Sequence, residues 1–303
     1  MVYLLAAGAA ACSAIAGVLQ RMGVESAPQS HAMRMSLLTH ALRRGVWVLG
    51  LALLLVTFGL QATALRFGTL TVVQPILTVE ILFLIAILAV VFHRQVGWRE
   101  VVGSVAIVAG LTGFIASAAP ATGRGIPGSH AWGLVTVLVV TTAGLLVVGA
   151  HHGPRWWRAA AFGAAAGTLF AYNASLTKAT TTLITAGWAH VFGHWEPYAI
   201  GVTGATGFFL LQNALHAGPI AASRASMIMV NPTVSVAIGA FVFGEHLRSG
   251  PGFIAAEALA LCVMLAGAYA LTQSPLVAGS AVEGEQGEML RRSAGPTSPA
   301  PHA

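Results

Sequence analysis

The sequence predicts an all-α integral membrane protein of about nine transmembrane helices, and three observations predict it. Apolar residues make up 56% of the chain and charged residues 8%, with a mean hydropathy of +0.79. A soluble domain carries about 25% charged residues. Apolar segments of about 20 residues, the length that crosses a bilayer, recur as far as residue 272. One stretch is also used twice. Phe58-Gly59-Leu60-Gln61-Ala62-Thr63-Ala64-Leu65-Arg66-Phe67-Gly68 and Phe209-Leu210-Leu211-Gln212-Asn213-Ala214-Leu215-His216-Ala217-Gly218 both set a Leu-Gln pair late in an apolar run, then a Leu, a polar break and a Gly. Repetition of this kind is typical of transporters.

The first expected helix, 2–20, is Ala-rich, and its first basic residue, Arg21, follows it. A signal peptide carries its positive charge before the apolar core, so this segment reads as a retained helix. The link from Arg21 to Arg44 is polar, and its Met33–Leu42 part has the pattern of an amphipathic helix lying in the interface. Segments 46–65, 69–92 and 101–119 follow, and residues 1–119 form a first repeat. Residues 120–158 hold a linker helix at 132–150 and the Arg-Trp-Trp-Arg run at 155–158, a basic aromatic anchor. Segments 159–177, 197–215, 219–243 and 253–272 form a second repeat over 159–272, with a polar link from Lys178 to Trp195. The tail, 273–303, is rich in Gly, Pro, Ser, Ala and Glu, a composition expected to stay disordered.

Loop charge sets orientation. The odd loops carry Arg21, Arg34, Arg43, Arg44, Arg94, Arg99, Arg155 and Arg158; the even loops carry Arg66, Arg124, Lys178 and Arg248. The odd loops are expected in the cytoplasm, which puts the N-terminus outside and the C-terminus, with Arg291 and Arg292, inside. Helix 2 matches helix 7, an odd offset, so helices 1–4 and 6–9 are expected to insert as inverted repeats with helix 5 between them. Helix 1 ends at Leu19-Gln20-Arg21 and helix 6 at Leu176-Thr177-Lys178, a weaker match in the same direction. Inverted repeats place a substrate site near the midplane, between the copies.

Several function classes are excluded. The net charge of +6 is spread over loops and tail, which is topology control rather than a nucleic-acid surface. Cys12 and Cys262 both lie inside apolar segments, so neither a disulfide framework nor a thiolate metal site is expected. No phosphate loop, nucleophile elbow or zinc spacing occurs. An enzyme is not expected, nor is a cofactor or a resident metal. His190 and His194, near Glu196, have helical spacing that suits a metal site and suits an interfacial loop equally.

Three groups of residues carry a resemblance. They are Leu60-Gln61 through Val73-Gln74-Pro75; Arg99-Glu100-Val101-Val102-Gly103 leading to Val108-Ala109-Gly110-Leu111; and Gly218-Pro219-Ile220-Ala221-Ala222-Ser223, Val230-Asn231-Pro232 and Phe243-Gly244-Glu245. In that order they resemble the drug/metabolite transporter superfamily, EamA-like, in the nine-helix form of the NIPA-type proteins, over roughly 2–272. The resemblance implies an inverted-repeat transporter, and for the NIPA type a magnesium permease. The first half departs from the pattern. With Gly68 set against Gly218, Gln95 falls opposite Glu245, so the closing Gly-Glu is missing there.

The polar residues inside spans are the candidate site. Glu80 lies near the middle of helix 3, where a carboxylate costs about 2.5–3.5 kcal/mol on insertion scales; it reads as a proton- or cation-coupling group or as a protonated bridge between helices. Gln74-Pro75 and Asn231-Pro232 set an amide before a proline, which removes a backbone donor and frees a carbonyl one turn back; each pair reads as cavity lining or as a tolerated kink. Arg224 could bind an anionic group, pair with Glu80, or snorkel to the interface. Gln61 and Gln212 are repeat equivalents that either face one cavity or bridge helices, and Asn173, beside Tyr172, lines the cavity or packs helices. Glu257 reads as an interfacial carboxylate, and Arg21 and Lys178 as interfacial anchors at equivalent helix ends. Gly163 and Gly167 form a small-xxx-small pair for close helix packing.

The expected function is a secondary transporter of a small metabolite or drug-like solute, working by alternating access, with Glu80 loading a proton or cation. The alternatives are a divalent-cation permease and a non-transporting membrane scaffold. The expected partners are the solute or ion and the lipid of the plasma membrane, with self-association as a homodimer left open.

Overall fold

The computed structural model describes residues 1–25, 45–118, 128–184, 187–218, 220–245 and 250–274. The Met33–Leu42 segment and the tail beyond Ser274 lie outside the described residues. The described chain is all-α. Its helices are α1 (Val2–Glu25), α2 (Gly45–Phe67), α3 (Leu70–Leu77), α4 (Glu80–Val90), α5 (Trp98–Ala118), α6 (Ser129–His151), α7 (Arg155–Leu183), α8 (Trp188–Gly193), α9 (Glu196–Ala217), α10 (Ile220–Phe241) and α11 (Pro251–Thr272).

Six stretches are long and apolar enough to cross a membrane: Val2–Gln20, Gly45–Phe67, Leu70–Val90, Trp98–Ala118, His130–His151 and Pro251–Thr272. The chain is therefore a multi-pass membrane protein. The expected segments at 159–177, 197–215 and 219–243 are also long helices, α7, α9 and α10, but polar residues such as Lys178, Gln212 and Arg224 interrupt them and they fall outside the apolar six.

Three expected boundaries move. The first helix, expected over 2–20, runs on to Glu25 and takes Arg21 inside it. Segment 69–92 is not one helix: it breaks at Thr78-Val79 into α3 and α4. Pro75 supplies no amide donor, and the backbone bonds Thr78 N–H to Pro75 O and Val79 N–H to Ile76 O tighten to i→i+3 spacing across the break. The helix expected at 159–177 runs on to Leu183, so Lys178 lies inside α7 rather than in a loop, and the link beyond contains the short α8.

The helices pack in a regular pattern. α1 lies against α2, α3 and α4; α7 lies against α9, α10 and α6; α3 crosses α10, and α5 lies along α11. Glycine sets close contacts between helices. A Cβ at Gly110 would overlap the Met264 amide and sit 2.6 Å from Ala260 O, so α5 and α11 touch backbone to backbone. A Cβ at Gly163 would overlap Ser223 O, and one at Gly167 would sit 3.0 Å from Met227 O, so the small-xxx-small pair seats α10 on α7 as its spacing suggested.

The helix ends define two faces. Gly68 meets Val2, Trp132 meets Trp195, and Lys178 meets Glu245, which gathers the starts of α1, α3, α6 and α9 with the ends of α7 and α10 on what we call the Met1 face. Gly218 meets Arg155 and Gly50 meets Gln20 on the opposite, Arg155 face.

Candidate functional site

The tightened turn after Pro75 makes Glu80 the first residue of α4. Thr78 and Val79 keep right-handed helical dihedrals, and Ile81, Leu82 and Phe83 N–H bond back to Thr78 and Val79 O, so the span stays helical as it passes Glu80. Its carboxylate accepts a hydrogen bond from Ser13 of α1 and lies within Coulombic reach of Arg224 of α10. Both Glu80 and Arg224 keep accessible surface. Three helices thus bring a carboxylate, a hydroxyl and a guanidinium together, with Glu80 midway along its span and Arg224 one turn into α10.

Gln74, one and a half turns before Glu80, is 3% exposed, and its Nε2 donates to no protein atom. A buried amide donor without a partner costs free energy, so this group is free to bond a guest molecule or water. Pro75 is buried beside it. In the second half Pro232 is buried within a continuous α10, and Asn231 accepts a long 3.5 Å bond from Ser235 Oγ.

Other expected contacts are spent on packing. Asn173 Nδ2 donates to Ile200 O at 2.7 Å and to Thr203 Oγ1 at 2.8 Å, tying α7 to α9. Gln61 on α2 and Gln212 on α9 are half-buried and belong to different helix pairs, α1–α2 and α7–α9. Glu257 is 5% exposed, and its Oε1 has no hydrogen-bond partner among the described residues. His194 Nδ1 lies 3.6 Å from Glu196 Oε2, while His190 is exposed. Among the described residues no three metal-ligating side chains gather.

A second polar cluster, near the Met1 face, corrects the reading of Lys178 as an anchor. Its side chain is 14% exposed, and its ammonium forms an ion pair with Glu245 Oε1, whose side chain is fully buried. It also lies 4.9 Å from the centre of the Phe243 ring. Glu245 in turn takes both free amides at the start of α3, Leu70 N–H at 2.7 Å and Thr71 N–H at 2.8 Å, and the Thr71 hydroxyl. This is a helix cap supplied from 175 residues away in sequence. Gly239 makes room, since a Cβ there would overlap the Glu245 carboxylate. Around the cluster Trp132 packs edge-on against Tyr172, Trp195 and Phe243, at 6.0, 5.5 and 6.1 Å between ring centres. Tyr172 shares a 2.6 Å hydrogen bond with Thr136.

Sequence reasoning missed this cluster's geometry. Its signals were present: the closing Gly-Glu at 244–245 and a single Lys in the whole chain. What the two clusters can do differs. The Glu80 cluster gathers polar side chains from three helices. The Lys178–Glu245 cluster satisfies itself and holds helices together.

No family model matches the chain, and no solved structure matches it. It is similar to an uncharacterized protein of Corynebacterium glutamicum, 28% identical over 255 residues, which are 84% of this chain and 88% of that protein.

Proposed function

We propose that the chain is a secondary transporter of a small polar solute, working by alternating access between two inverted four-helix units. The observation that carries this reading is the Glu80–Ser13–Arg224 cluster, in which three helices bring polar side chains together beside the tightened turn of the α3–α4 span. Transporters built from inverted repeats hold their cargo near the midplane, at the interface between the copies. The packing pattern supports the repeat. α1 on α2 is echoed by α7 on α9, and α1 on α3–α4 by α7 on α10, while α3–α10 and α5–α11 pair equivalent helices with each other. α6 is then the linker. The drug/metabolite transporter resemblance agrees with this arrangement.

In this reading Glu80 loads a proton or cation, Gln74 and Arg224 contact the solute, and the Arg155 face is cytoplasmic because Arg94, Arg99, Arg155 and Arg158 lie at that end. A divalent-cation permease is less well supported. A guanidinium within Coulombic reach of the only carboxylate in this cluster repels a second cation.

The test has two stages. A thermal-shift screen of purified protein against metabolites, drug-like molecules and divalent cations finds what binds, because a native-state ligand raises apparent stability. Uptake of that ligand into proteoliposomes is then compared for wild type and Glu80→Gln. Loss of pH- or ion-dependence in Glu80→Gln is expected, and coupling left intact in that variant would overturn the role of Glu80.

A further inference from the structure

We infer that the two faces carry unequal closures: Lys178, Glu245 and Thr71 clasp the Met1 face shut, and at the Arg155 face the position equivalent to Glu245 is the neutral Gln95. This rests on the inverted-repeat reading above and adds to it the direction in which the resting protein is open.

The clasp joins the halves. Glu245 follows α10 of the second unit, and its carboxylate holds the first turn of α3 in the first unit while Lys178 of α7 neutralises it. Opening this face means drawing a fully buried carboxylate off two amides and a hydroxyl, or off its ammonium. Breaking a buried charged pair costs much more than parting apolar surfaces in lipid.

Inverted symmetry predicts an equivalent device at the other face, and the sequence supplies each position. Setting Gly68 against Gly218 puts Ile220-Ala221 opposite Leu70-Thr71 and Gln95 opposite Glu245; the matched helix ends put Arg21 opposite Lys178. The cation is kept. The carboxylate has become an amide, and the hydroxyl of Thr71 has become the methyl of Ala221. Gln95 is exposed, whereas Glu245 is buried. A neutral exposed amide has neither the charge nor the seclusion to hold this face as firmly. Arg224 lies one turn into α10 from the Arg155 face.

Accessibility labelling tests this without any knowledge of the solute. In a chain with Cys12 and Cys262 replaced by Ser, two reporters are made separately. Gln74→Cys lies beneath the clasp and is 3% exposed; Arg224→Cys faces the other way. A membrane-impermeant maleimide is applied to intact cells and to inside-out vesicles. Gln74→Cys should label slowly from the Met1 face, about tenfold faster or more once Glu245→Gln or Lys178→Met is added, and near the parent rate with Lys178→Arg, which keeps the pair. Arg224→Cys should label readily from the Arg155 face and more slowly after Gln95→Glu with Ala221→Thr, which installs the missing clasp on exposed and small positions.

Unchanged Gln74→Cys labelling in folded Glu245→Gln protein would overturn the clasp. Unchanged Arg224→Cys labelling after Gln95→Glu with Ala221→Thr would overturn the inequality of the faces. If labelling behaves as expected and no solute is taken up by proteoliposomes, the clasp stands and the transport reading falls. If solute moves and labelling does not respond, the reverse holds.

Discussion

Replacing Lys178 by Met should be the most destabilising change of a single surface-reaching side chain in this protein. The substitution keeps the bulk and removes the charge, leaving the Glu245 carboxylate fully buried without its cation. Removing one partner of a buried pair costs about 3–5 kcal/mol. The remaining environment lowers that figure, because the carboxylate keeps the two α3 amides and the Thr71 hydroxyl, and the helix N-terminus contributes about 0.3–1 kcal/mol. Losing the ammonium over Phe243 adds about 0.5–1 kcal/mol. The net expectation is about 3 kcal/mol.

Glu245→Gln should cost less, about 1–3 kcal/mol. It removes charge from the buried side, and the Lys178 side chain, 14% exposed, can turn its ammonium toward water. The double variant should then cost less than the sum of the singles by about 0.5–3 kcal/mol, since the second change relieves the charge that the first leaves stranded. Denaturation of purified protein in detergent, followed by far-ultraviolet circular dichroism, measures all four forms. A Lys178→Met protein within about 0.5 kcal/mol of wild type, the scatter of ordinary surface changes, or strictly additive singles, would refute the reasoning.

Gly110→Ala and Gly163→Ala should each destabilise by about 1–3 kcal/mol, because the new methyl meets backbone atoms of α11 and of α10; Gly133→Ala and Gly144→Ala, with nothing within 4 Å, should be neutral or stabilising by up to about 1 kcal/mol in the same denaturation assay. Asn173→Ala should cost about 0.6–1.7 kcal/mol, the span measured for interhelical hydrogen bonds in membranes, because it cuts both links to α9. Pro75→Ala should restore the amide donor that pairs with the carbonyl four residues back, at Thr71, hold or raise thermal stability, and lower solute uptake in proteoliposomes; unaltered uptake would separate this proline from function.

The fold class was legible because bilayer solvation is a coarse constraint: a helix either is apolar over about 20 residues or it is not. Polar interruptions blurred the rest. Lys178 read as a helix end because a lone cation in an apolar run suggests an interface, whereas its actual neighbour, Glu245, is 67 residues away and visible only after folding. The Gly163–Gly167 contact was readable from spacing, since small residues four apart have one common use in membranes. Asn173 was not readable, because an amide serves packing and cavity lining with the same chemistry and only its partners on α9 decide. Glu80 could be found as an intramembrane acid, but its partners Ser13 and Arg224 come from other helices, and no sequence period connects them.

The two proline motifs show how one pattern yields two backbones. Gln74-Pro75 and Asn231-Pro232 sit at nearly equivalent places, yet α3 ends two residues after Pro75 while α10 runs nine residues beyond Pro232. The neighbours explain the difference. Asn231 packs against α7 at Gly167, whose missing side chain lets the α10 backbone pass unbent. α3 is instead pinned at its first turn by Glu245, a contact from the opposite unit, and ends where the chain must redirect into α4. The same carboxylate that clasps the Met1 face therefore fixes where α3 begins, and Glu80 opens the helix that follows. If the clasp opens, the first turn of α3 loses its cap, and the position of Glu80 changes with it. The proposed closure and the proposed coupling site are two ends of one short helix, eight residues long, which gives the transport reading a mechanical link between opening a face and presenting an acid.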